Sequence, residues 1–129
     1  MPLTFNNPSF RLVAPDFQTV QLCERLRVCH GFGVFSVDPG FVCDLESVPK
    51  VFQLLPGMEK VGKGAVPGII HDYLYKTALV SKPEADAIYL EAMKQRRVGV
   101  LARWTKYLAV RLFGGPAWRA HRAAAGEAG

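Results

Sequence analysis

The chain is poor in the features that assign a protein quickly to a class. It has three cysteines, Cys23, Cys29 and Cys43, an odd and sparse set that frames no secreted disulfide scaffold. They read as small buried or half-buried thiols. With no C-x-x-C pair and no evident fourth ligand, Cys23, Cys29 and His30 do not read as a zinc site. No apolar run approaches the roughly 18 residues that a membrane-spanning helix needs. The opening residues, Met1-Pro-Leu-Thr-Phe-Asn-Asn7, lack a basic stretch followed by an apolar one, so no signal peptide is expected and the chain is placed in the cytoplasm where it is made. There is no Walker loop, dinucleotide fingerprint, zinc ribbon or helix-turn-helix signature. A sequence-specific nucleic-acid reader is therefore not expected.

One further absence is local. Between Lys94 and Arg122 there is no Asp or Glu, while Lys94, Arg96, Arg97, Arg103, Lys106, Arg111, Arg119 and Arg122 all fall there. A segment of one sign suits an acidic partner: nucleic-acid phosphates, anionic lipid or an acidic protein face. The alternative, preferred here, is a solvated helix face. The whole chain carries a formal charge of +5.

What is present is ordinary for a globular domain. The 129 residues are 50% hydrophobic and 21% charged, which disfavours disorder and fits one domain with one modest core. Within it, residues 8–49 read as mainly β, residues 66–122 as mainly α, and residues 123–129, rich in Ala and Gly, as a frayed tail. Residues 10–13 form a short strand, residues 18–28 alternate, and residues 34–45 read as a hairpin about the turn Asp38-Pro39-Gly40, in which Pro fixes φ and Gly supplies the positive φ of a type II turn. Residues 57–68 are rich in Gly and read as loop.

Helices are expected over residues 69–78, from Ser81 to about Arg97, and over residues 100–113, with a short basic one over residues 118–123. Ser81-Lys-Pro-Glu84 is a helix start: Ser as cap, Pro in the first turn, Glu three residues on. The third helix carries Leu101, Trp104, Tyr107, Leu108, Val110, Leu112 and Phe113. It reads as core-facing through this set, with a solvated basic side, and the alternative is a helix lying on an anionic membrane surface. Strands first and helices after give an α+β fold, with three to four helices packed on a small antiparallel sheet.

One cluster looks arranged for chemistry. His71 and Tyr75 are four residues apart and share a helix face, with Asp72 about 100° round from His71. The next helix carries Asp86 after a short connection, so the two helices are antiparallel neighbours and His71 can meet Asp86. A carboxylate on one imidazole nitrogen fixes the tautomer and leaves the other nitrogen to take a proton from water. Asp72, with backbone carbonyls of the Gly-rich loop, could hold a hard cation such as calcium, which would polarise an ester or phosphate. The alternative is a structural His–Asp pair inside a small core. Asp44 reads as a turn-capping side chain, with a third carboxylate at the site as the alternative. Ser47 stands near it, and without a G-x-S-x-G elbow it makes a weak nucleophile but a candidate supporting group.

The motifs Gly40-Phe41-x-x-Asp44-Leu45-x-Ser47-Val48-Pro49, His71-Asp72-Tyr73-Leu74-Tyr75, Ala85-Asp86 and Glu91-Ala92-Met93 resemble those of the phage and prophage domain-of-unknown-function family 1353. That resemblance implies phage association and no assigned activity. More distantly, His-Asp-x-x-Tyr followed by Ala-Asp resembles the catalytic helices of phospholipase A-two enzymes. That likeness implies that His71 activates water, Asp72 binds calcium, Asp86 orients His71 and Tyr75 buttresses the carboxylate. Val61-Gly62-Lys63-Gly64 would stand for the calcium loop.

The leading expectation is a virion- or tail-associated structural or assembly component carrying a His–Asp site. It would be made in the host cytoplasm and have the virion as its other address. Its partners would be other phage structural proteins or an anionic lipid surface. The alternatives are a calcium-assisted phospholipase-like hydrolase, and a basic regulator that binds an acidic partner through Arg96, Arg97, Arg103, Lys106 and Arg111.

Overall fold

A computed structural model describes residues 3–13, 19–31, 33–43 and 65–128, the last four by backbone alone. The fold is α+β, with strands in the N-terminal part and helices in the C-terminal part. The chain divides into two compact units, Met1–Leu45 and Glu46–Gly129.

Among the described residues, the first unit holds two three-stranded antiparallel sheets. One joins β1 (Thr4–Phe5), β4 (Leu26–His30) and β5 (Gly33–Val37), with β4 in the middle. The other joins β2 (Phe10–Val13), β3 (Thr19–Leu22) and β6 (Val42–Cys43), with β3 in the middle. Burial follows the two-residue period of a strand: Val20 and Leu22, then Leu26, Val28 and His30, then Phe35 and Val37 all point inward. The alternating run over residues 18–28 is thus two strands. They part at Cys23-Glu24, whose amides donate to the Ser9 carbonyl at 2.9 and 3.4 Å while the Ser9 amide donates to Glu24 Oε1 at 2.9 Å. Asn6 extends the β1–β4 pairing with its side chain, donating to the Arg25 carbonyl at 2.9 Å and accepting from the Arg27 amide at 2.7 Å.

The hairpin expected over residues 34–45 does not form. β5 pairs with β4, and β6 pairs with β3 in the other sheet. The turn itself is present: the Phe41 amide donates to the Asp38 carbonyl at 3.3 Å and Gly40 has φ +95°. A type II turn splays the flanking strands instead of matching their twist, so here it carries the chain from one sheet to the other. Of the thiols, Cys43 is buried and Cys29 half-buried as expected, but Cys23 is exposed.

The second unit holds α1 (Ala65–Thr77), α2 (Lys82–Gln95), α3 (Val100–Phe113) and α4 (Gly115–Ala128). α1 starts earlier than residue 69, because Pro67 falls in its first turn, where a missing amide proton costs nothing. Ser81 caps α2 as expected, with the Glu84 amide donating to Ser81 Oγ at 3.4 Å. α2 ends with the Val98 amide on the Met93 carbonyl and the Arg97 amide on the Lys94 carbonyl, both at 3.0 Å. This is the paired bonding that accompanies a left-handed residue, here Arg97 at φ +58°. α1 packs on α2 and α4, and α3 packs on α2 and α4. Tyr89 and Met93 of α2, Val98, and Ala102 and Val110 of α3 form one buried cluster.

α3 meets the core through only part of the expected set: Val110 is buried and Tyr107 half-buried against it. Ala102, Ala109, Val110 and Lys106 are buried, while Leu101 is 77% exposed, Leu112 70% and Leu108 50%. Small residues let α3 lie close against its neighbours, so the alanine face wins the interface and the larger apolar side chains turn outward. Lys106, expected on the basic surface, is 5% exposed. Of the others, Arg97 and Arg111 are exposed and Arg96 and Arg103 half-buried.

Candidate functional site

The antiparallel pair α1–α2 brings His71 to Asp86. His71 Nε2 and Asp86 Oδ1 are 2.8 Å apart. The same oxygen accepts from Tyr75 Oη at 2.7 Å. His71 and Tyr75 are one helical turn apart on α1, so their side chains reach the same point on α2. Their rings lie 4.1 Å apart between centroids, tilted by 44°, and the Tyr89 ring lies 4.7 Å from the imidazole, tilted by 34°.

The second oxygen of Asp86 faces cations. Lys82 Nζ, one turn earlier on α2, donates to Oδ2 at 2.9 Å, and Arg111 Nη1 of α3 stands at 3.8 Å. Lys82 Nζ also donates to the Val110 carbonyl at 3.0 Å and the Arg111 carbonyl at 3.4 Å. α4 completes the surround. Trp118 meets the Tyr75 ring edge-on at 5.2 Å, and Arg122 Nη2 donates to the Tyr75 and Lys76 carbonyls at 2.7 and 2.8 Å. Arg122 thereby satisfies carbonyls at the end of α1 that have no helical partner.

Electrostatics fix the protonation states. Burial pushes the Asp86 carboxyl upward, but the hydrogen bonds from His71, Lys82 and Tyr75 outweigh it and hold it below its ordinary value. Asp86 is therefore an anion with cationic partners. Burial lowers the His71 imidazole below its ordinary value, against the pull of Asp86 toward the charged form. A neutral imidazole facing a carboxylate at Nε2 must carry its proton there and donate it. Its Nδ1 then holds a bare lone pair. That nitrogen is fully buried and has no hydrogen-bond partner among the described residues. The Tyr75 and Tyr89 hydroxyls are raised by burial and stay protonated.

The expected site residues divide accordingly. His71, Asp86 and Tyr75 come together. Asp72 points elsewhere on α1, half-buried, with Oδ2 at 3.7 Å from Lys76 Nζ. Asp44, Ser47 and the Gly62-Lys63-Gly64 stretch lie outside the described residues. Among the described residues, no three of His, Cys, Asp and Glu gather to hold a metal ion. Calcium takes about 6–8 oxygen ligands, and the loop carbonyls expected to join Asp72 in holding it lie outside the described residues, while Asp86 is engaged by His71, Tyr75, Lys82 and Arg111. Lys82, Tyr89, Trp118 and Arg122 were not anticipated. The spacing Lys82-x-x-x-Asp86 was a visible signal for the first, being one helical turn. The other three depend on how the helices pack.

A family model described as "Protein of unknown function (DUF1353)" matches residues 20–110. No curated protein and no solved structure matches the chain. Among the described residues, no helix is long and apolar enough to cross a membrane.

Proposed function

We propose that this chain, which belongs to the DUF1353 family, is a phage- or prophage-encoded hydrolase in which His71 and Asp86 form a water-activating dyad. The substrate class we assign is a carboxylic ester, most suitably of a phospholipid at an anionic surface. One observation carries the reading: His71 is neutral and tethered through Nε2, and its Nδ1 lone pair is buried without a partner. A merely structural histidine would be expected to satisfy both nitrogens, since a buried unmet polar atom costs about 1–3 kcal/mol.

The step follows from those roles. Nδ1 takes a proton from water as the water oxygen bonds to the ester carbonyl carbon. The imidazolium so formed is stabilised by the Asp86 carboxylate. Collapse of the tetrahedral intermediate breaks the bond to the alcohol oxygen, and Nδ1 returns its proton to that oxygen, freeing alcohol and acid. Tyr75 and Lys82 hold Asp86 in place. Water must reach the enclosed Nδ1 for the step to run.

The test is fatty-acid release from anionic phospholipid vesicles, with calcium and with chelator, by the wild type and by His71→Asn. Release that falls about 100-fold or more in a folded His71→Asn protein, the scale of a lost general base, supports the dyad. Release unchanged in His71→Asn, or none from the wild type on any ester tried, overturns it.

A second reading rests on the complete burial of His71 and Asp86. There the network only ties the helices together, and the protein is a virion- or tail-associated assembly component whose partners are other phage structural proteins. It is supported if His71→Asn lowers stability and changes no reaction.

A further inference from the structure

α3 shows the inverse of a usual surface helix. Its lysine at position 106 is buried, while Val100, Leu101, Trp104, Leu108 and Leu112 are exposed by 43–77%. At 100° per residue, Leu101, Trp104, Leu108 and Leu112 fall within an arc of about 80°, so they make one continuous stripe along the helix. An outward apolar stripe of this kind marks a surface that meets something.

We propose that this stripe docks on an anionic lipid surface, with α3 lying flat in the interface. Three observations select that occupant. The stripe has no acidic residue on its own helix or on the chain from Lys94 to Arg122, and exposed Arg111 borders it, about 20° round the helix from Trp104. That charge complements anionic headgroups. A second copy of the chain offers the same basic surround, so pairing two stripes would oppose like charges. Trp104, 43% exposed and edge-on to Tyr107 at 5.7 Å, is an amphipathic aromatic of the sort that sits at headgroup depth. The helix is too short to span, about 20 Å for 14 residues.

The stripe also borders the dyad. Arg111, at its edge, stands 3.8 Å from Asp86 Oδ2, and Lys82 bridges Asp86 to the Val110 and Arg111 carbonyls. The inference deepens the hydrolase reading by naming where its substrate is presented, yet binding is measured independently of turnover.

The experiment is flotation of the full chain with vesicles of phosphatidylcholine alone and of phosphatidylcholine with phosphatidylglycerol, at low and high salt. The proteins are the wild type, Leu101→Glu/Leu108→Glu and His71→Asn. In a Trp118→Phe background, Trp104 emission is followed on vesicle addition. Expected are binding to the anionic vesicles only, a blue shift of Trp104, at least a 10-fold loss in the double-Glu variant, and unaltered binding by His71→Asn. Equal binding by the double-Glu variant, or no binding with a dimer that the double-Glu change dissolves, overturns the proposal. Normal binding without ester release leaves the docking surface standing and removes the hydrolase.

Discussion

Gly114 lies against the Tyr75 hydroxyl so closely that a β-carbon on it would stand 2.7 Å from that oxygen and 2.4 Å from the Val110 carbonyl. Its φ of −78° is open to any residue, so the constraint is space and not backbone conformation. Gly114→Ala should therefore push Tyr75 off Asp86 and cost about 1–3 kcal/mol. Chemical denaturation measures this, and an unchanged midpoint would show that the α3–α4 junction can relax.

Asp86 is the acceptor for three side chains and the counter-charge for a fourth. Asp86→Ala leaves His71 Nε2 and the Tyr75 hydroxyl without their acceptor and Lys82 without its counter-charge, a loss of about 3–5 kcal/mol for a broken buried pair. Tyr75→Phe removes one donor of several and should cost about 1 kcal/mol. A comparison of their urea midpoints tests this ranking. Equal losses would mean that packing, not the carboxylate, holds the network.

Acid should act in two stages. The folded protein holds His71 below the ordinary 6.5, so the unfolded chain binds the proton first, and stability is full above about that pH and declines as pH falls below it. Asp86 is held below the ordinary 3.8, so its contribution is present above that value and lost as pH falls through the folded value. Denaturation midpoints from pH 8 to 3 should show an upper decline that His71→Asn abolishes and a lower one that it keeps. A flat wild-type profile between pH 7 and 5 would count against a neutral His71.

Arg97 occupies a left-handed conformation at φ +58°, where a side chain costs about 1–2 kcal/mol that glycine avoids. Arg97→Gly should raise stability by about 1 kcal/mol, less the extra freedom glycine has when unfolded. Thermal melting reads the gain, and a lower melting temperature would reveal a stabilising contact of the Arg97 side chain.

Local signals were legible in the sequence and long-range ones were not. The Ser81 cap, the bounds of α3 and the Asp38–Gly40 turn depend on a few adjacent residues. The meeting of His71 and Asp86 followed from a short connection between two helices. Which strand β6 joins depends on pairing with β3, some twenty residues away, and no local pattern encodes it. The facing of α3 is legible only in part, at Val110 and Tyr107, because both sides of the helix carry apolar residues. Small ones on one side and large ones on the other left the choice to close packing, which hydrophobicity alone does not rank.

The fourfold engagement of Asp86 has a consequence for how the helical unit comes apart. His71 and Tyr75 belong to α1, Lys82 to α2 and Arg111 to α3, and Tyr75 in turn bears on Trp118 of α4. None of α1, α2 and α3 can detach without taking from Asp86 one of its partners. Amide exchange at the centres of the helices should therefore occur through one shared opening event, with nearly common protection across α1, α2 and α3. A chain that ends before α3 would lose Arg111 from Asp86 and the Val110 and Arg111 carbonyls from Lys82, and should hold its first two helices together less stably.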